Sequence, residues 1–386
     1  MLSRRTAWDL AANALSARLE AARAAGAPLL DLTEANPTRA GLLWPPGRIE
    51  AALSQPGAAS YAPDPRGALP ARQAVAAYLA ARGAAVDPAR IVLTASTSEA
   101  YALLLKLLCD PGDEVLVPAP AYPLLDLLAG LEAVELRRYP LRYDGTWHLD
   151  RAELGAALGP RVRAVLAVSP SNPVGAVLAE GELSALDRIC AERGVALICD
   201  EVFADSALSP APSVLAAPRR ALAFHLSGLS KVCGLPQLKV GWLAAAGPEV
   251  LLEPALARLE VMADTYLSVS GPSQLALATL LPAREAFLRP LRRRLAENRA
   301  RLDSLPAGPF GPLRSSGGWS AVLRVGERLD EEALCLSLLE EGVVVQPGFY
   351  FDFERPGHLV VSLLPRPEEF TEGLTRIARQ LGRAAG

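Results

Sequence analysis

The chain has 386 residues, 51% of them apolar and 21% charged, with a formal net charge of -3. That length exceeds one simple core and predicts a large domain with a smaller one beside it. The charge supplies no basic field for nucleic acid, and no apolar run approaches the roughly 20 residues of a membrane helix.

The first 26 residues, MLSRRTAWDLAANALSARLEAARAAG, are charged throughout and lack the apolar centre of a secretory signal. They read as an amphipathic helix, and the protein as cytoplasmic. From about 90 to 247, short apolar runs alternate with amphipathic segments. IVLTA (91–95) precedes a helix reaching Cys109, and a DPGDE turn leads to EVLVP (114–118). A helix near 122–131 precedes AVELRRYPL, and another near 150–158 precedes RAVLAVS (163–169). The helical EGELSALDRICAERG is followed by VALICD (195–200), ALAFHLS (221–227) and VGWLAAAG (240–247). This alternation predicts an α/β fold with a mostly parallel, doubly wound sheet. Ligands of such sheets sit beyond the carboxyl ends of the strands.

After about 272 the pattern changes. A long Arg-rich helical region (roughly 273–304) leads to a loop rich in Gly and Pro. SAVLRV, the helix DEEALCLSLLEEG, VVVQPG, HLVVSLL and a last helix, PEEFTEGLTRIARQLG, complete a small α+β domain.

Five cysteines (Cys109, Cys190, Cys199, Cys233 and Cys335) form no CxxC pair and read as buried free thiols. The three histidines show no metal-ligand spacing. Only three lysines occur, Lys106, Lys231 and Lys239, in a chain whose other cations are arginines, so each calls for a reason.

The polar residues just after apolar runs carry the chemistry. Lys231 follows an apolar run among Ser227, Gly228 and Ser230. A lysine between small residues at a strand end can approach a flat cofactor, and its amine loses its proton readily there, as Schiff-base formation requires. The alternative is a surface loop lysine. Asp200 ends VALICD and can pair with a protonated pyridine nitrogen, which keeps pyridoxal 5'-phosphate (PLP) an electron sink; otherwise it caps a turn. Glu201 beside it reads as structural. Asn172, in SPSNPVGAVL, can donate to a phenolate oxygen or merely shape a turn. Ser96, Thr97 and Ser98 stand at a strand-to-helix junction, where hydroxyls and free N–H groups make an anion site or a plain cap. Tyr122 follows a strand, where its ring could stack on a pyridine or pack in the core.

Taken in order, DLTEANPTRAG, YAPDPRGALPARQAVAAYL, TASTSEAY, PAPAYP, SPSNPVG, CDEVFAD, SGLSKVCGLPQLKVGW and SVSGPSQ give the chain its resemblance to the class I/II aminotransferases, the fold-type-I PLP enzymes. The resemblance covers nearly the whole chain. It implies a large domain (41–272) with a mostly parallel seven-stranded sheet, a small C-terminal α+β domain (273–386), and an N-terminal arm (1–40) that joins the small domain.

The resemblance further implies that Lys231 carries PLP and shuttles the proton, and that Asp200 partners the pyridine nitrogen. Asn172 would bond the phenolate oxygen, Thr97 and Ser98, with Ser96 supplying backbone, would hold the phosphate, and Tyr122 would stack on the ring. Ser227 and Ser230 would complete the cofactor contacts. Tyr61 resembles the tyrosine that reaches a neighbour's phosphate, which implies a homodimer with shared active sites. Amino acids and 2-oxo acids would be the substrates, exchanged by a ping-pong mechanism.

Three departures stand out. Phe203 replaces a tyrosine that would bond the phenolate oxygen. Lys239 replaces a phosphate-gripping arginine and loses its fork geometry. Val360 or Val361 occupies the place of the arginine that clamps the substrate carboxylate. Arg39, beside Ala35 and Asn36, and Arg366 are the candidates to take over, and Trp319 is expected to line the substrate side. The missing arginine keeps a lyase, decarboxylase or cyclising PLP enzyme open as an alternative. A non-catalytic PLP-fold regulator is a second one.

Overall fold

The computed structural model describes residues 2–305 and 311–384. Residues 306–310, in the predicted Gly- and Pro-rich loop, lie outside the described residues, as do Met1 and residues 385–386 at the ends of the expected arm and small domain.

The apolar runs form one eight-stranded sheet. Its strands are β1 (Ile91–Thr94), β2 (Glu114–Ala119), β3 (Glu135–Tyr143), β4 (Trp147–Leu149), β5 (Val162–Val168), β6 (Ala196–Asp200), β7 (Ala223–Gly228) and β8 (Gly241–Ala246). Their order is β1-β8-β7-β6-β5-β2-β3-β4. The central run from β7 through β3 is parallel, while β8 is antiparallel to both its neighbours and β4 to β3. The inner strands are mainly apolar because both faces are covered, whereas β3 (ELRRYPLRY) is only partly buried. Val115, Leu166, Ile198 and Leu243 pack into one layer, and Leu116, Val165, Leu197 and Trp242 into the other.

Seven strands were expected; β4 is the eighth. It has three residues, too few for an alternating pattern to register, and it reverses on β3 through a tight turn at 144–146. The N-terminal helix is also shorter than expected, spanning Ala14–Ala24 only. Asn13 begins it, its side chain accepting from the Ser16 N–H at 2.8 Å, and the residues upstream are exposed, with Arg5 of a 3-10 turn donating to the Leu131 carbonyl at 3.2 Å. The helical region at 273–304 is two helices, Gly271–Leu280 and Glu285–Asp303, interrupted at Pro282, which lacks the N–H that would continue the hydrogen-bond ladder. A helix at Glu249–Tyr266, covering one face of the sheet, was not anticipated.

A second, antiparallel sheet contains β9 (Gly311–Pro312), β10 (Ser320–Arg324), β11 (Gln346–Pro347) and β12 (His358–Ser362), in the order β9-β10-β12-β11. Three helices matter below: α1 (Thr97–Leu108), α2 (Glu285–Asp303) and α3 (Pro367–Ala384). Alternation splits the second sheet. Ala321, Leu323, Leu359 and Val361 join the core formed with Leu291, Leu295 and Phe370 of α2 and α3. Val322 and Val360 face the other way, onto Val174 and Ala176 of the loop after β5. No described helix is long and apolar enough to cross a membrane.

Candidate active site

Parallel order puts the ends of β5, β6 and β7 side by side, and the polar residues that follow them converge. Asp200 closes β6, paired with Val168 of β5 and Leu226 of β7. Its side chain is buried, and both oxygens are used. The Tyr101 hydroxyl donates to Oδ2 at 2.6 Å and the Val202 N–H to Oδ1 at 3.0 Å. Burial pushes its carboxyl above the ordinary range, and these two donors and the nearby Lys231 pull it back.

After β7 the chain turns at Gly228 into one helical turn that carries Lys231. The Lys231 amine lies 4.7 Å from the Trp319 ring centre and 5.4 Å from that of Phe203. The two rings meet edge to face at 5.4 Å. Burial lowers this ammonium to about 8, with the Asp200 carboxylate acting in the opposite direction. Such an amine is a usable nucleophile and base near neutral pH.

The loop after β5 presents Asn172, whose Oδ1 accepts from the Ser320 hydroxyl of β10 at 3.5 Å. Gly175 in this loop has φ 66° and lies against the backbone of Gly317, where a side chain would have no room. The loop and the segment ahead of β10 are stapled further by Ser316 N–H to Gly175 O at 2.9 Å.

At the start of α1, Ser96 is the cap: its Oγ accepts from the Glu99 N–H at 3.2 Å. Thr97 and Ser98 occupy the first turn, whose N–H groups have no helical acceptor. Gly241 of β8 lies so close behind that an added Cβ would be 2.8 Å from Ser96 C and 3.0 Å from Thr97 N. Ser227 is buried on β7, and its hydroxyl has no partner among the described residues. Ser230 is half-buried, and Lys239, at φ 51° after a 3-10 turn, is exposed. Tyr122 is 49% exposed. Tyr61 is 85% exposed and lines a cleft with Glu99, Tyr266 and Gln274, so this single chain does not enclose it.

On the substrate side, Val360 is 2% exposed and sits opposite Val322, against Val174 and Ala176. Val361 faces the opposite core. Neither place holds a charge. Arg39 is exposed, its Nε 2.9 Å from Glu34 Oε2. The Glu34 carbonyl accepts from the Ser362 hydroxyl at 2.6 Å, and Ser362 is the register partner of Ser320, the residue that touches Asn172. Ala35 and Asn36 are exposed in the same loop. Arg366 is exposed just ahead of α3.

Glu201 is buried beneath the site, its Oε1 accepting from Ser213 and Val214. Its Oε2 is 3.6 Å from His225 Nε2. Burial raises Glu201 to about 7 and lowers His225 to about 3. The five cysteines are free, four of them buried. Two residues the sequence reading passed over belong here, Tyr101 and Gly241. Tyr101 stands four residues after Thr97, the spacing that puts two side chains on one helix face, and that signal was available.

The family model "Aminotransferase class I and II" matches residues 25–377. Glutamate-pyruvate aminotransferase AlaA of Escherichia coli K12 is 28% identical over 371 residues, covering 92% of this chain and 91% of that protein. Arginine–pyruvate transaminase AruH of Pseudomonas aeruginosa is 30% identical over 388 residues, covering 96% and 93%. The solved structure of an alanine aminotransferase from Pyrococcus furiosus superposes with a TM-score of 0.90 at 22% identity, covering 99% of this chain and all of that one.

Proposed function

The chain belongs to the class I and II aminotransferases, and from that premise we propose that Lys231, Asp200, Asn172 and the first turn of α1 form its cofactor site. The enzyme is a PLP-dependent transaminase that moves an amino group between an amino acid and a 2-oxo acid. One observation carries the site proposal: a desolvated amine against the Trp319 and Phe203 rings, electrostatically coupled to a buried strand-end carboxylate.

The donor set suits the cofactor. Hydroxyls and free N–H groups at the start of α1 suit a phosphate dianion, and the unpartnered, buried Ser227 hydroxyl awaits an acceptor. Thr97, Ser98 and Ser96 would hold the phosphate with Ser227, Ser230 and the point charge of Lys239. Tyr122 would cover the ring, and Asn172 would donate to its phenolate oxygen, a task it carries alone because Phe203 has no hydroxyl. When bound, PLP supplies an electron sink for the pair left behind by the substrate's α-proton. Lys231 Nζ takes that proton and later returns it. Asp200 keeps the proton on the pyridine nitrogen, and Trp319 and Phe203 exclude water from Nζ.

For the substrate carboxylate we favour Arg39. Its loop is tied through Glu34 and Ser362 to the strand pair that touches Asn172, whereas Arg366, exposed just ahead of α3, has no such tie among the described residues. Arg39→Ala is expected to raise KM for the amino acid about 10- to 100-fold, the worth of a charge-assisted hydrogen bond of roughly 1.5–3 kcal/mol, with kcat changed far less. Arg366→Ala is expected to change neither constant. Steady-state kinetics decide, and an unmoved KM in Arg39→Ala removes Arg39 from this role.

We place the enzyme in the cytoplasm as a homodimer in which Tyr61 reaches a partner's phosphate. The overall reading is tested by loading the protein with PLP and assaying pairs of amino acids and 2-oxo acids. One yellow chromophore per chain and parallel double-reciprocal lines are expected. Absence of cofactor uptake overturns it.

A further inference from the structure

We propose that Tyr101 is a positioning residue for the cofactor ring, and that helix α1 couples the two ends of the site: its first turn addresses the phosphate, and its second holds Asp200. This rests on the reading of Asp200 as the pyridine-nitrogen partner.

Thr97 and Tyr101 are four residues apart on α1, so they share a face about one turn, or roughly 6 Å, apart along the axis. The first of them belongs to the hydroxyl-lined start of the helix. The second donates its hydroxyl to Asp200 Oδ2 at 2.6 Å, with both residues buried. No other side chain donates to that carboxylate among the described residues; its remaining bond comes from the Val202 N–H to Oδ1. The helix is itself fixed against the sheet by Gly241, whose missing side chain lets β8 touch the backbone at Ser96 and Thr97. A single rigid element thus sets where an anion binds and how a carboxylate two strands away from β8 is oriented.

The electrostatics give the contact a direction. Burial holds the Tyr101 phenol well above its ordinary value, so it remains a neutral donor throughout the working pH range. Its bond favours the ionised form of Asp200 against the burial that opposes it. The titratable groups facing Asp200 are Tyr101 from α1, Lys231 after β7, and its chain neighbours Cys199 and Glu201. Only Tyr101 hydrogen-bonds to it.

The test compares wild type, Tyr101→Phe and Asp200→Asn, each with and without PLP. In the loaded proteins, the pH midpoint of the cofactor's visible absorbance is expected to move in both variants in the same direction, less in Tyr101→Phe. Turnover in Tyr101→Phe is expected to fall about tenfold, as a hydrogen bond to a carboxylate is worth on the order of one pKa unit or more. In the cofactor-free proteins, urea unfolding supplies an independent reading. Because Asp200 has a raised carboxyl pKa when folded, its ionisation opposes folding as pH rises above the ordinary value of 3.8. Removing the hydroxyl enlarges that opposition, so the stability gap between wild type and Tyr101→Phe grows with pH.

A packing role alone gives a gap independent of pH and an unmoved absorbance midpoint. If Asp200→Asn moves the midpoint and Tyr101→Phe does not, the inference fails while the reading of Asp200 stands. If neither moves it, the reading of Asp200 fails and takes the inference with it. Should Tyr101→Phe not fold, a fluorinated tyrosine at position 101 keeps the shape and strengthens the donor. Its absorbance midpoint is then expected to shift opposite to that of Asp200→Asn, and no shift overturns the proposal.

Discussion

Lys231→Ala is expected to abolish the yellow chromophore and to lower turnover by at least about 10⁴-fold, because one substitution removes both the attachment point and the proton carrier. Small primary amines added to this variant are expected to restore part of the rate, with a pH dependence that follows the added amine rather than the protein. Lys231→Arg is expected to be as inactive as Lys231→Ala, since a guanidinium does not give up its proton. The environment of the amine adds a second, activity-free outcome. Its pKa when folded is about 8, below the ordinary 10.5. The folded state therefore binds fewer protons than the unfolded one between those values, and cofactor-free protein is expected to gain stability as pH rises through that window. Lys231→Met should lack this gain. Unchanged transaminase turnover with an intact chromophore in Lys231→Ala would sink the assignment.

Gly241→Ala is expected to weaken PLP affinity about 10- to 100-fold, through overpacking that typically costs 1–3 kcal/mol. The new methyl would meet the backbone at Ser96 and Thr97 and the Thr94 hydroxyl, at 2.8, 3.0 and 3.1 Å. The two nearest contacts are backbone, and the third is a buried hydroxyl tied to the Ser96 carbonyl at 2.9 Å, so the first turn of α1 must shift. A shift of a few tenths of an ångström misdirects the N–H groups that would bind phosphate. Gly130→Ala is the control. Its helix position faces open space, and replacing glycine there favours helix. Cofactor titration and thermal unfolding of both variants distinguish the effects, and an unchanged affinity in Gly241→Ala removes the anion role from this turn.

The lengths and spacing of apolar runs made the central sheet legible, because strands buried on both faces are continuously apolar, as in RAVLAVS and VALICD. Lys231, Asp200 and Asn172 were legible as candidates because each follows such a run, where α/β sheets collect ligands. Strand β4 was hidden by its brevity, and the break near Pro282 by the helical composition around it. The link from Arg39 through Glu34 and Ser362 to Asn172 was not readable, since it depends on the register of two antiparallel strands and on contacts more than 300 residues apart. Gly241 was illegible for another reason. What matters there is the absence of an atom, and only its neighbours reveal that.

The stapling of residues 170–176 to residues 315–318 has a consequence for anyone recombining this gene with a relative's. Those two stretches interlock backbone to backbone, through Gly175 against Gly317 and the Ser316 hydrogen bond. Each is shaped for the other. A chimera that exchanges the C-terminal third alone inherits a mismatched seam directly beside Asn172, whereas one that carries both stretches from the same parent keeps it intact.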